Sequence, residues 1–128
     1  MDLRAAIEAY NDAWNRQDLD AIHAAHADDV VFENHTAGER AEGAAAVREH
    51  IAGIFAHWPD LRFRGRGELR AGDDFVVSEW TATATAKDGE RLEWDGVDVF
   101  PFRDGKIARK DVYSTSHRAR RVVTPADE

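Results

Sequence analysis

The sequence predicts an α+β fold in which three helices pack on a strongly bent, mainly antiparallel sheet. Three observations support this prediction. Apolar residues recur at helical spacing over much of residues 2–58, polar and apolar residues alternate from Leu61 onward, and two turn signals divide the alternating part into hairpins. A bent sheet wrapped around helices leaves a cone, so we expect a pocket at its open end.

The first part of the chain is predicted to form two capped helices. Residues 2–17 place Tyr10 and Trp14 on a buried stripe with i, i+3, i+4 and i+7 spacing. Asp18 caps a second, shorter helix. The inner face of this helix includes His26, at a position where the pattern expects a large apolar side chain.

Three further segments lead into the hairpins. Residues 30–35 are predicted as a short strand, and residues 36–42 as a polar loop. The third helix spans residues 43–58, has the clearest period in the chain and ends before a proline. Residues 61–70 alternate as a half-buried strand, in which two glycines predict a bend.

The two hairpins predict the face of the sheet that lines the pocket. Asp104-Gly105 joins two alternating segments and is a strong hairpin signal, and counting back from it sets Asp98 opposite Asp111. The same count from a four-residue turn at residues 87–90 sets Glu79 beside Asp98, so one face carries a row of three acids. Beyond the acids this face should carry a ring of Thr81, Tyr113, Thr83 and Trp94, and the opposite face Trp80, Val97, Val99 and Val112.

The composition excludes several classes of partner. The chain has 128 residues and a formal net charge of −8, which argues against binding to nucleic acid or to an anionic membrane. It has no cysteine, no signal-peptide pattern and no apolar run long enough to cross a membrane. We therefore expect a soluble cytoplasmic protein with one domain over residues 1–117 and a polar tail over residues 118–128.

The acidic row is the clearest chemical signal. Three carboxylates in one cavity cannot all ionise cheaply, so at least one should keep its proton near neutral pH. A protonated Asp98 would donate a hydrogen bond to a developing oxyanion. Alternatively the row is partly solvated, or Arg109, diagonal to Asp98 on the same face, neutralises it. A bulge at Pro101 would instead turn Asp111 outward.

His26 is a second candidate base, because an inward imidazole near Asn34 and the acids would titrate near neutral pH. The alternative is a buried histidine that donates to a backbone carbonyl. The six histidines show no metal-ligand spacing beyond the pair His23 and His26, so we expect no metal and no other cofactor. Most aromatic residues are expected in the core, although Trp94 near the mouth is placed to stack on a flat ligand. The expected substrate contacts are Asn34, Glu79, Trp94, Phe100, Arg109, Tyr113, Trp14 and Phe55.

The order of elements and three sets of segments resemble a known family. The segments are Tyr10…Asp18-Leu19-Asp20…Ala27-Asp28-Asp29, Glu42-Gly43…Val47-Arg48-Glu49 and Val97-Asp98-Val99-Phe100…Gly105-Lys106-Ile107. Over nearly the whole chain they resemble the cone-shaped NTF2-like superfamily, and within it the SnoaL-like polyketide cyclases and the ketosteroid isomerases. The resemblance implies a cone-shaped α+β fold whose pocket takes a small hydrophobic ligand.

The resemblance also implies roles for individual residues. Tyr10 matches the oxyanion-hole tyrosine of the isomerases, and Asp98 matches the protonated acid beside it. Asn34 fills the position of the isomerase base, and an amide cannot accept a carbon-bound proton, which argues against the isomerase reaction in its family form. Asp111 resembles the acid/base aspartate that lies late in the cyclase sequences.

These roles imply a cofactor-independent enzyme that acts on a hydrophobic carbonyl compound, polyketide-like or steroid-like, by enolisation, as an isomerase or an aldol cyclase. Asp98 and Tyr10 would stabilise the enolate. Asp111 or His26 would move the proton, and Asn34 would orient the substrate or a water.

Two other functions stay open. One is a non-catalytic module whose cone binds a ligand or only supports a dimer. The other is water activation by Asp98, Arg109 and Asp111, as the similar limonene epoxide hydrolases use an Asp-Arg-Asp group. We also expect a homodimer through the outer sheet face, because a monomer would leave its apolar patch exposed to water.

Overall fold

The structure is a computed structural model that describes residues 1–122. Its helices are α1 (Leu3–Arg16), α2 (Leu19–Ala24) and α3 (Ala44–His57), and a short 3₁₀ helix spans Ser116–Arg118. Its strands are β1 (His26–Asn34), β2 (Glu39–Glu42), β3 (Arg62–Gly65), β4 (Arg70–Ala71), β5 (Phe75–Thr85), β6 (Arg91–Arg103), β7 (Lys106–Ser114) and β8 (Arg120–Arg121).

The strands form one eight-stranded sheet in the order β2-β1-β7-β6-β5-β3, with β4 paired to β5 and β8 paired to β6. β1 runs parallel to β7, and the other pairs are antiparallel. α1 contacts β3 and β5, whereas α3 contacts β1 and β2. This arrangement confirms the predicted α+β fold. None of the helices within residues 1–122 is long and apolar enough to span a membrane.

The first two helices begin at the predicted caps. Asp2 and Asp18 each accept a hydrogen bond from the backbone N–H three residues further on, at 3.2 and 3.1 Å. The predicted extent of the second helix is wrong, because α2 stops two residues before His26 and His26 begins β1. The Ile107 N–H donates to the Ala25 carbonyl at 2.9 Å, which ties this segment to β7 instead of to another helical turn.

Two connecting segments differ from the prediction. One contains an additional strand, and the other contains two short strands in place of one. The polar loop predicted at residues 36–42 contains β2, and Arg40 of β2 binds Glu33 of β1 at 2.7 Å. The strand predicted at residues 61–70 is divided into β3 and β4, as its two glycines indicated. The prediction of a loop at residues 36–42 is therefore wrong in part, and the predicted bend within residues 61–70 is confirmed.

The predicted polar tail begins as part of the fold. Arg120–Arg121 forms β8, which pairs with Leu92 and Glu93 of β6. The Arg120 guanidinium donates to Glu93 and to Asp95, each at 2.9 Å. The rest of the predicted tail, residues 123–128, lies outside the described residues.

The turn at Asp104-Gly105 is confirmed. The two residues have positive φ angles of 52° and 74°, as a type I′ turn requires. Arg103 therefore faces Lys106 across the turn, and the strands start in the predicted register.

A bulge in β6 then changes this register. The pairing with β7 shifts between Val99 and Phe102, around Pro101, which has no N–H to give to the ladder. Val99 instead of Asp98 consequently lies opposite Asp111. Asp111 thus points to the outer face, as the alternative with a bulge at Pro101 predicted.

The turn between β5 and β6 is one residue shorter than predicted. A backbone hydrogen bond of 2.8 Å closes a three-residue loop whose last residue, Gly89, has a φ of 86°. Glu79 therefore lies opposite Val97, and Asp98 lies opposite Ser78. A one-residue slip turns every side chain of a strand to the other face, so the predicted row of three acids on the cavity wall is wrong.

The same slip corrects the two predicted faces. Val97 and Val99 lie on the outer face as predicted, whereas Trp80 and Val112 are buried in the core. Trp80 packs across Gly96 of the neighbouring strand, where a Cβ would come within 2.3 Å of its ring. Three residues predicted for the cavity ring lie on the outer face instead, namely Thr81, Thr83 and Tyr113.

We expect Gly96→Ala to lower the free energy of unfolding by about 1–3 kcal/mol, because the new Cβ must displace the Trp80 ring. Gly53→Ala in α3 is the matched control, since apart from its chain neighbours and the backbone of its own helix no other atom of residues 1–122 lies within 4 Å of its Cβ position. This control should raise the free energy of unfolding by about 0.5–1 kcal/mol. Denaturant melts measure both effects, and equal stability of the two variants would contradict the close packing of Trp80 on Gly96.

Candidate active site

A cavity of about 350 Å³ lies between the helices and the inner face of the sheet. Most of its wall is apolar, with a small number of polar groups, which is typical of a small-molecule site. Its aromatic lining residues are Trp14, Phe32, Trp58, Phe63, Trp80 and Trp94. Its polar lining residues are Asn34, Glu39, His50, Asp98, Lys110, Ser114 and Ser116.

Asp98 and Lys110 form a buried pair in the cavity wall. The Lys110 Nζ lies 3.4 Å from Asp98 Oδ2, and the two side chains are 6% and 5% exposed. Lys110 takes the inward position predicted for Asp111, because the bulge in β6 moves the register by one residue. The Nζ also lies 4.1 Å from the centre of the Trp14 ring.

The surroundings favour the neutral form of each partner. Burial raises the pKa of Asp98, against the opposing effects of the Lys110 charge and of the Trp80 indole N–H. Burial lowers the pKa of Lys110, against the opposing effect of the Asp98 carboxylate. The Trp14 face stabilises a desolvated ammonium by about 2 kcal/mol or more, whereas burying a charge costs several kcal/mol. The pair can therefore share one proton with either residue as its carrier.

One oxygen of this pair is left without a protein partner in the described part of the chain. Asp98 Oδ1 is buried and has no hydrogen-bond partner among the described residues, and neither has the Trp80 Nε1. The indole N–H lies near enough to lower the pKa of Asp98 but does not reach normal hydrogen-bond geometry. Oδ1 therefore keeps an unused acceptor position in a residue that lines the cavity.

Tyr10 and His26 form a second buried pair behind the cavity wall. The Tyr10 hydroxyl lies 2.9 Å from His26 Nε2, and the Tyr10 ring centre lies 5.0 Å from the Lys110 Nζ. Burial raises the pKa of Tyr10. Burial, together with the positive charge of Lys110, lowers the pKa of His26 to about 3. The prediction that His26 titrates near neutral pH is therefore wrong, because the imidazole is neutral there.

Asp111 belongs to an ion-pair cluster on the outer face. Arg109 Nη2 donates to Asp111 Oδ1 at 2.8 Å and to Glu33 Oε1 at 3.2 Å, and His35 Nε2 lies 2.9 Å from the same Asp111 oxygen. Glu33, His35 and Asp111 offer ligand atoms within 4.8 Å of one another, an arrangement that could hold a metal ion. Arg109 and Arg40 already neutralise these carboxylates, so ion pairing accounts for the cluster.

The structure brings some of the predicted contact residues to the cavity and not others. Asn34, Trp14 and Trp94 line it, and Asn34 Oδ1 accepts from the Ala37 N–H at 3.1 Å, which leaves the amide NH₂ group as its available donor. Phe55 and Phe100 are buried in the core. Three predicted contacts lie on the outer face, namely Glu79, Arg109 and Tyr113.

Lys110 is the main residue of the candidate site that the sequence did not predict. Lys110 lies between Arg109 and Asp111 in the sequence. Strict alternation counted from the Asp104-Gly105 turn places its side chain on the outer face of the sheet. The available signal was Pro101, which cannot donate to the ladder of a central strand and therefore marks a bulge. Counting across that bulge sends Lys110 inward.

Comparisons with solved structures give the same fold. A proposed polyketide cyclase from Xanthomonas campestris pv. campestris is 25% identical, with 89% of this chain and 90% of that chain covered and a TM-score of 0.78. An NTF2-like protein of unknown function from Burkholderia pseudomallei K96243 is 21% identical, with 89% and 91% covered and a TM-score of 0.81. SalBIII, an epoxide hydrolase/cyclase-like enzyme of pyran ring formation in the polyether salinomycin, is 24% identical, with 92% and 94% covered and a TM-score of 0.79.

The sequence itself gives the family. No curated protein sequence matches this chain. The SnoaL-like domain family, in contrast, matches residues 7–110, which include both members of the buried pair. With this match over most of the chain, the protein belongs to the SnoaL-like domain family, and its fold is that of the NTF2-like protein described above.

Proposed function

We propose that this protein is a cofactor-independent enzyme that enolises a hydrophobic carbonyl compound, polyketide-like or steroid-like, in an isomerisation or an intramolecular aldol closure. The observation that supports this proposal is the Asp98–Lys110 pair in the wall of an apolar cavity. Perturbed acid–base groups in such a cavity are typical of active sites.

Enolisation needs a base for the proton next to the carbonyl and a donor for the carbonyl oxygen, and the pair supplies both. With Asp98 as carboxylate and Lys110 as ammonium, Oδ1 accepts the carbon-bound proton while Nζ donates to the oxygen. The raised pKa of Asp98 makes it a stronger base than an exposed aspartate. The protonated Asp98 then returns the proton to another carbon, or the enolate attacks a second carbonyl.

The rest of the cavity suits a flat, largely apolar molecule. Trp58 and Trp94 lie with ring centres 5.6 Å apart and form one aromatic wall. Asn34 and Ser114 add polar groups that can orient a carbonyl or hydroxyl group. Within this proposal, Asn34 keeps the orienting role that the sequence suggested.

Tyr10 and His26 are proposed as positioning residues, because neither lines the cavity. The Tyr10 ring and the Phe100 ring each lie about 5 Å from the Lys110 Nζ and limit where the amine can move. The His26 contact holds the Tyr10 hydroxyl at 2.9 Å. The pair thus keeps Lys110 directed at Asp98 and the cavity.

We expect the double substitution Asp98→Asn/Lys110→Met to abolish turnover while the protein stays about as stable as wild type. Replacing both members of a buried ion pair is often neutral or stabilising, whereas removing one partner leaves an uncompensated buried group. Each single variant should lose about 10²–10⁴-fold in rate. A turnover screen with enolisable polycyclic ketones and hydrophobic epoxides, run beside thermal melts of all three variants, measures both effects.

A non-catalytic binding module gives a different result in this experiment. No ketone would turn over with wild type, and the double variant would melt at or above the wild-type temperature with only a modest change in ligand affinity. Turnover of hydrophobic epoxides but not ketones would instead indicate water activation by Asp98. Either outcome would overturn enolisation.

His26 should make stability depend on pH. Its pKa is about 3 in the folded protein and 6.5 for an ordinary exposed histidine, so the unfolded state binds more protons between these values. Stability therefore falls as the pH drops below 6.5, by up to about 1.4 kcal/mol per pH unit. His26→Gln should flatten this slope in denaturant melts between pH 6.5 and about 5. The control His117→Asn, at an exposed position, should leave the slope unchanged, and an equal effect of both variants would contradict the assignment.

We also propose a homodimer through the outer face of the sheet. Val97 and Val99 lie on this face, and Phe75 and Tyr113 beside them are 41% and 45% exposed. Apolar side chains grouped on one sheet face are typical of a surface that a second copy covers. The patch differs from the predicted one, since Trp80 and Val112 are buried in the core.

Sedimentation at high micromolar concentration should show a dimer for wild type and a monomer for Val99→Lys, because a lysine there places a charge in the middle of the proposed interface. Thr83→Lys, at the other end of the same face, is the control and should remain dimeric. A monomeric wild type would end the dimer proposal without affecting the catalytic one.

A further inference from the structure

We propose that Lys110 is a nucleophilic amine that condenses with the substrate carbonyl, so that enolisation proceeds through an iminium ion and an enamine bound to the enzyme. This inference rests on the proposed function and specifies the covalent step within it. The reaction would then be an example of covalent amine catalysis, in which a lysine amine converts the substrate carbonyl group into an iminium ion.

The polar contacts of the Lys110 amine favour a nucleophile over a permanent cation. An ammonium has three donors, but within residues 1–122 the only polar partner of the Nζ is Asp98 Oδ2, at a long 3.4 Å. Its other close neighbours are the faces of Trp14, Tyr10 and Phe100, with centroid distances of 4.1, 5.0 and 5.1 Å. Burial with only one long hydrogen bond lowers the pKa of Lys110, against the opposing effects of Asp98 and of the aromatic faces, which stabilise an ammonium. The neutral amine, which carries the lone pair needed for attack, is therefore accessible to Lys110.

Asp98 is placed for each proton transfer of this route. The amine adds to the carbonyl carbon, and a proton passes from nitrogen to oxygen to give a carbinolamine. The Asp98 carboxyl donates its proton to the departing hydroxyl, which leaves as water, and the iminium ion forms. The resulting carboxylate takes the proton from the carbon next to the iminium and gives a neutral enamine. Reprotonation or attack on a second carbonyl follows, and hydrolysis of the iminium returns the free amine.

A second, smaller cavity provides a place for the water of this route. It measures about 40 Å³, and Asp98 and Lys110 line it as well as the main cavity. Asn11 and Ser78 also line it, and the Asn11 amide donates to the Ser78 hydroxyl at 3.2 Å. A water needs roughly 10–15 Å³ and two or more polar partners, so this cavity can hold the water that leaves and returns beside the Nζ.

The chain contains its own reference amines. Its three lysines are Lys87, Lys106 and Lys110. Lys87 and Lys106 are exposed, and Lys106 donates to the Ala24 carbonyl at 2.7 Å on the surface. Only Lys110 combines burial, an adjacent carboxyl and a cavity. A comparison of the three lysines in one labelling experiment therefore separates a reactive amine from ordinary surface reactivity.

The test uses 2-tetralone, a bicyclic ketone, with sodium cyanoborohydride at neutral pH. Reduction of an iminium gives a stable secondary amine, which intact mass and peptide mapping locate. We expect one adduct per chain at Lys110, formed at least about tenfold faster than any adduct at Lys87 or Lys106. Asp98→Asn should slow labelling at Lys110, and the stable double variant Asp98→Asn/Lys110→Met should lose the fast adduct. Adducts confined to Lys87, Lys106 or the amino terminus of wild type would overturn the proposal.

The covalent step and the proposed function fail in different ways. If a ketone turns over but cyanoborohydride neither inactivates the enzyme nor labels Lys110 during turnover, enolisation stands and the iminium is overturned. If Lys110 is labelled rapidly but no substrate turns over, the reactive amine stands and the proposed function is overturned. Lys110→Arg adds a further distinction, because it keeps a cation without a nucleophilic amine: retained turnover would contradict the covalent route.

Discussion

The pairing of β6 with both of its neighbours determines which side chains enter the cavity. A three-residue turn that ends at Gly89 sets β6 against β5, and the bulge around Pro101 sets it against β7. Each feature moves the pairing by one residue relative to the simplest hairpin, and one residue exchanges the two faces of a strand. Without the bulge, Asp98 and Asp111 would share the cavity as two acids. With the bulge, Asp98 meets the amine of Lys110, and the chemistry of the cavity changes from acid–acid to acid–amine.

The buried acid–amine pair lowers the free energy of unfolding that a core of this size can provide. Its single contact is long, and the face of Trp14 offsets only part of the cost of burying a charge. An apolar pair of similar volume would stabilise the fold as well or better. The neighbouring Tyr10–His26 pair adds no charge, because both groups are neutral at neutral pH. Stability therefore does not explain the position of Asp98 and Lys110, and this supports the proposal that the pair acts on a bound ligand.

The fold could be predicted from the sequence because its signals are local and repeated. Helical spacing, the caps at Asp2 and Asp18 and the turn at Asp104-Gly105 all act within a few residues, and a small error in one of them leaves the architecture unchanged. The site depends instead on the exact count between turns. The sequence between β5 and β6 is compatible with a three-residue loop or with the predicted four-residue loop. The difference of one residue alone places Glu79 on the outer face. The prediction placed Asp98 on the inner face, where the structure also has it, whereas it did not place Lys110 in the cavity wall.

The short strand β8 closes the rim of the cavity with interactions of a different kind from those of the core. Ser116 and Ala119, in the segment that leads into β8, line the cavity, and Arg120 fastens this segment to Glu93 and Asp95. Arg120 is about half exposed, and ion pairs between exposed side chains contribute little and weaken as salt rises. Backbone pairing of β8 with β6 adds to these ion pairs and does not depend on salt in the same way. We therefore expect high ionic strength to loosen the side-chain part of this enclosure while the packed helices and sheet are unaffected.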